Sequence, residues 1–274
     1  MRLLFAIAAS LVTSAFAESP QPKAPAPAPG LPAIDPKTEP KVIPKTEPKI
    51  LPGSYEAFSV LPSDYRNLIA QCMERFQARD FAGAIVAADK ADALQPPSVW
   101  TLNTRAAVAI ERRKFEEGET LCQAALKQDP EFFPALFNLC EIPFLQGKYS
   151  TARTMWQRLL TAYPVRNNTV VRDGTPELLT YRIFLCYLLE KDMKNAEAWL
   201  DRLPFPSDTA AYFYAHAAWE KAQGRETRWA DWVKQAEFIW PAAKRSNFTD
   251  VLIQLGWLTD PSDAKDAAAS PKSK

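Results

Sequence analysis

The sequence predicts an all-α fold, a solenoid of stacked helix–turn–helix repeats behind a disordered, proline-rich N-terminal tail. Three observations predict it. Pro96, Pro130 and Pro164 stand 34 residues apart. The residues between them repeat in step: Phe81, Phe115 and Tyr149, then Ala84, Gly118 and Ala152, with Leu68, Leu102 and Leu136 and with Cys72, Ala106 and Cys140 further back. Finally, apolar residues follow helical spacing from about Ser63 to Leu258. A period of this length marks paired helices that bury their apolar faces only by stacking on neighbours.

The chain opens with one positive charge, at Arg2, and a short apolar run that closes on Ala15-Phe16-Ala17. Such a segment reads as a secretory signal cleaved after Ala17. It is too short for the roughly 20 apolar residues of a spanning helix. No cysteine stands directly after the cut, and no later stretch is long and apolar enough to span a membrane. Residues 1–17 are therefore expected to be a signal peptide. The chain is expected to be periplasmic or secreted, without membrane insertion after cleavage.

Residues 18–53 are rich in Pro, Ala and Lys and contain a tandem repeat, Pro36 to Ile43 followed by Pro44 to Leu51. So many prolines remove backbone donors and favour extended polyproline II. A semi-stiff spacer is the preferred reading, with a docking strip for an aromatic groove as the alternative.

The helical region divides as follows. Residues 63–164 form three repeats. The first helix runs from near Asp64 to Arg79, capped by Ser63 or Asp64, and Phe81 leads into a second helix that ends before Pro96. The same plan recurs over 98–130 and 132–164, with Gly147 in the turn of the third unit. Residues 165–175, with Asn167-Asn168 and Asp173-Gly174, read as an insert loop. Residues 176–240 hold two degenerate repeats. A capping helix over 241–258 covers the last open face, and residues 259–274 form a disordered tail. Pro143 lies inside the first helix of unit three, removes a bond to the Leu139 carbonyl and is expected to kink it.

These residues resemble the tetratricopeptide repeat family, in which a large residue opens the first helix, small residues let the helices approach, an aromatic starts the second and a proline closes the unit. Three units match without gaps. The fourth keeps Phe184, Tyr187 and Ala196 but lacks the closing proline, and in the fifth Glu226 replaces the aromatic. The resemblance implies a right-handed superhelix whose first helices line a concave groove. On that geometry the groove carries Arg66, Trp100, Asn103, Phe137, Tyr181 and Tyr214. Aromatics recurring at consecutive repeats suit an apolar peptide or a helix. The register of Phe76, Ile110, Phe144 and Leu188 is read as core. The cationic clamp with which some members hold a terminal carboxylate is absent. The chain's own tail could also fold back into the groove.

Composition excludes several classes. Lys and Arg total 33 against 32 Asp and Glu, so nothing favours nucleic acid or an anionic membrane. His216 is the only histidine and cannot make a conventional zinc site without partners. No phosphate loop or catalytic constellation is present, so no metal, cofactor or enzymatic activity is expected. Acidic residues such as Glu116, Glu117 and Asp129 lie at turns and helix ends and are read as solvated. Cys72, Cys122, Cys140 and Cys186 are read as buried thiols, with Cys122–Cys140 the least implausible bridge. Trp219, Trp229, Trp232, Trp240 and Trp257 are expected to pack against the final helix. The function these features support is an exported scaffold or adaptor holding a peptide or helix of a cell-envelope partner protein in its groove. The alternative is a structural protein that self-associates through aromatic surfaces.

Overall fold

Every regular element is an α-helix in the computed structural model, which describes residues 53, 55–166, 175–207 and 209–259. The expected signal peptide, nearly all of the proline-rich tail, most of the insert loop and nearly all of the C-terminal tail lie outside the described residues. Helix α1 spans Tyr55–Ser59. Five helix pairs follow: α2 (Ser63–Gln77) with α3 (Phe81–Leu94), α4 (Val99–Glu111) with α5 (Phe115–Gln128), α6 (Phe133–Leu145) with α7 (Tyr149–Arg166), α8 (Thr175–Leu189) with α9 (Met193–Leu200), and α10 (Ala211–Ala222) with α11 (Glu226–Ile239). Helix α12 (Ala242–Gln254) closes the described chain.

One turn geometry recurs in all five pairs. Arg79, Arg113, Gly147, Lys191 and Gly224 all adopt the left-handed conformation, with φ between 60° and 76°. The amide after each bonds a carbonyl five residues back: Asp80 to Arg75, Lys114 to Ala109, Lys148 to Pro143, Asp192 to Tyr187 and Arg225 to Glu220. This is the Schellman closure, which satisfies carbonyls a helix end would otherwise orphan. Units four and five share it, although they keep only part of the sequence pattern of the first three.

Each helix packs on its pair partner, and each second helix packs on the first helix of the next unit. First helices also pack on one another, α2 on α4, α4 on α6 and α8 on α10, whereas the second helices do not pair with each other to that extent. An inner layer in contact and an outer layer spread apart is the arrangement of a curved solenoid, here of the tetratricopeptide type. The small residues explain how closely the pairs approach. Ala84, Gly118 and Ala152 are buried, and a Cβ at Gly118 would come within 2.6 Å of Ile110 Cγ1.

Local signals fix the helix ends with some departures from expectation. Ser98 caps α4 through a reciprocal box with Thr101, and Asp80 accepts from the Gly83 amide at 2.8 Å. Helix α2, by contrast, starts at Ser63 behind Pro62 with no side-chain cap, so neither Ser63 nor Asp64 plays the expected role. Helix α7 continues past Pro164 to Arg166. Helix α6 runs through Pro143 and stops at Leu145, so the lost backbone bond falls in its final turn. Phe76, Ile110, Phe144 and Leu188 are core, and the four cysteines are buried and unpaired. Burial raises the Cys72 thiol to about 11 and the Cys122 thiol to about 12, which keeps them protonated and unreactive.

Candidate functional site

The face formed by the first helices is where repetition places the predicted binding residues. It does not leave them open. Phe137, Tyr181 and Tyr214 have no exposed surface, Asn103 has 1 % and Trp100 has 7 %. Trp100 stands between the rings of Phe58 on α1 and Phe132 before α6, at 5.2 and 5.0 Å. Asn103 Oδ1 accepts from Asn138 Nδ2 at 3.0 Å. Phe137 packs against Trp156 and Phe133, with the Arg182 guanidinium 5.8 Å from its ring centre. Tyr181 meets Phe248, and the Tyr214 hydroxyl takes a bond from Arg245 at 3.2 Å. Only Arg66 is partly exposed. The expectation that these rings line a free groove is therefore corrected. A recurring aromatic register identifies an apolar face but carries no information about what covers it.

The chain's own ends supply the cover. Helix α12 meets Tyr214 in the first turn of α10, Tyr181 in the middle of α8 and Glu111 at the end of α4, so it crosses the first-helix face obliquely. Phe248 is its anchor. The ring lies edge-on to Tyr181 at 5.6 Å, and its carbonyl accepts from the Tyr181 hydroxyl at 3.2 Å. At the other end, the Gly53 amide donates to Asp129 Oδ2 at 2.9 Å, seating α1 beside Trp100. Asp129 is 2 % exposed, and its other oxygen holds the Glu131 amide. Its reading as a solvated carboxylate is thus replaced by a structural role. A side chain at Gly53 would collide with Phe132 and Asp129.

Beneath α12 lies a buried line of charge. Glu141 of α6 and Arg182 of α8 pair at 2.9 Å with 0 % and 1 % of their side chains exposed. Arg182 also reaches the Asn247 carbonyl at 3.5 Å. A pair this deep must offset the desolvation of both ions, and removing either partner strands the other. Its satisfaction is incomplete, since Arg182 Nη1, Glu141 Oε2 and Asn247 Oδ1 have no hydrogen-bond partner. Glu111 accepts from Gln254 and lies 3.6 Å from Arg79. Burial pushes its carboxyl above the ordinary range, with Asp250 and Glu141 adding to the rise and Arg79 only partly opposing it.

Sequence reasoning passed over Phe248, Glu141 and Arg182. For the last two a signal was present. Glu141 is the lone charge of Phe133–Leu145, and Arg182 is the lone charge of Thr175–Leu189 beyond Glu177 in its first turn; a charge among apolar residues needs a partner. No group of three or more His, Cys, Asp or Glu side chains suited to a metal occurs among the described residues.

No protein-family model and no curated protein matches the chain. Among solved structures, a tetratricopeptide repeat protein from Parabacteroides merdae ATCC 43184 aligns over 76% of this chain and 77% of that one, at 17% identity and a TM-score of 0.42. A likeness that distant carries no argument. The assignment of the fold rests on the five repeated turns and the order of helix packing.

Proposed function

We propose that this chain is an exported, non-enzymatic scaffold or adaptor that takes a helix of a cell-envelope partner on its first-helix face, in the place α12 holds. One observation carries the reading: α12 lies across α10, α8 and α4 with Phe248 set against Tyr181. A surface that seats a helix with one aromatic anchor suits a partner helix of the same chemistry. Export is supported by the composition of residues 1–17, and mass analysis of the mature chain should find it beginning at Glu18.

A photo-crosslinking residue at position 111, on α4 where Gln254 of α12 meets it, tests the binding role in the native cells. The reading expects an adduct with a partner chain, increased by Phe248→Ala. Intramolecular adducts alone, in both forms, would overturn it.

One observation favours self-assembly as a second reading. Phe238 and Ile239, at the end of α11, are 92% and 50% exposed, and apolar ground of this kind can pair between copies. Light scattering decides between them, since a monomer at high concentration removes self-assembly.

A further inference from the structure

Helix α9 has 8 residues, whereas α3, α5 and α11 have 14 each. The missing turns uncover a strip of unit five that a full-length second helix would bury. Tyr212 and His216 lie there, one turn apart on α10, opposite Trp232 of α11. The His216 ring is 4.9 Å from Trp232 and nearly parallel to it, and 4.3 Å from Tyr212. Phe205, from the connection between α9 and α10, extends the row to Tyr212 at 4.9 Å and is 65% exposed. The other three rings are partly exposed. Trp232 therefore belongs to this row. The row is separate from the face that α12 covers.

We infer that this aromatic row docks the chain's own proline-rich repeat, residues 36–51, as a polyproline II segment. Three features select that occupant. Prolines in an extended helix present flat rings and pre-ordered backbone, the form that aromatic rows recognise at low entropic cost. The position of the tail also fits. Gly53 is held at Asp129, in the connection entering α6, and Phe205 lies in the connection entering α10. Both connections are on the edge where first helices begin, two units apart. Along the packed order α6, α7, α8 and α10, at 8–10 Å a step, the separation is at most roughly 30 Å, and the 16 residues of the repeat extend roughly 50 Å at about 3.1 Å each, enough to reach the row. Charge supplies the third feature. Asp201, whose carboxylate acts on His216, and Asp231, beside Trp232, make no ion pair among the described residues. The repeat brings Lys37, Lys41, Lys45 and Lys49. The inference stands whether or not α12 is exchanged for a partner helix.

The sole histidine makes the test direct. In the full chain from Glu18, the His216 ring resonances are compared with those of a variant carrying Ser at Pro36, Pro40, Pro44 and Pro48. The expected result is a displacement of the His216 signals between the two, independent of protein concentration. In a Phe205→Ala background, which removes an exposed ring, the same four substitutions should displace them much less. Identical His216 signals with and without the four prolines would overturn the inference. A displacement that grows with concentration would also overturn it, because the tail would then be binding a second copy.

Discussion

The ring of Phe248 stands edge-on to that of Tyr181, 5.6 Å between centres, while the Tyr181 hydroxyl donates to the Phe248 carbonyl at 3.2 Å. Sixty-seven residues separate the two in sequence. Their contact turns a solenoid with an inner face into one whose inner face is occupied.

Phe248→Ala should release α12. A buried Phe truncated to Ala costs about 3–5 kcal/mol. Because the loss is confined to the contact with the first-helix face, α12 amides should exchange with solvent faster while α2–α7 stay protected. Unchanged exchange in α12 would show that Phe248 is not its anchor.

Arg182→Met should destabilise the fold by about 3–5 kcal/mol, because Glu141 would remain buried and unpaired. Replacing both, Arg182→Met with Glu141→Leu, should restore most of that loss. Denaturant unfolding of the two variants measures it, and a harmless single substitution would contradict the pairing.

Lys191→Gly should stabilise the chain. Lys191 holds φ at 61°, where a side chain strains the backbone, and Gly147 and Gly224 occupy the equivalent turns. A gain of up to about 1 kcal/mol raises Tm by about 2–4 °C in a domain of this size. Arg113→Gly should gain less, since Arg113 also donates to the Leu145 carbonyl at 3.0 Å. Equal gains at the two sites would argue that this bond contributes nothing.

Acidification should weaken the fold through His216. Burial holds its ring pKa below the ordinary 6.5, an effect that Glu220 and Asp201 only partly offset. The unfolded chain therefore binds the proton first, so this contribution is present above pH 6.5 and declines as pH falls toward the lower folded value. Titration followed by NMR should give a midpoint below 6.5. His216→Gln should flatten stability across that window, and a midpoint at or above 6.5 would contradict the burial.

The fold class was legible because repetition leaves a mark wherever packing does. Ala84, Gly118 and Ala152 are small because the paired helices approach there. Units four and five were harder to read, since a Schellman turn can be closed by Lys191 as well as by Gly224 and leaves no fixed residue behind. The candidate site was legible only in part. Trp100, Phe137, Tyr181 and Tyr214 do fall on the first-helix face, but no periodicity shows that Phe58 and Phe248 will cover it. Those covers come from single, non-repeating segments, and their contacts join residues far apart in sequence.

The central claim is that α12 lies on the first-helix face in solution. Nuclear Overhauser contacts between selectively labelled Tyr and Phe rings test it most directly. A cross-peak between Tyr181 and Phe248 is predicted alongside that between Tyr181 and Phe184, whose centres are 6.5 Å apart within α8. The second peak without the first would contradict the account.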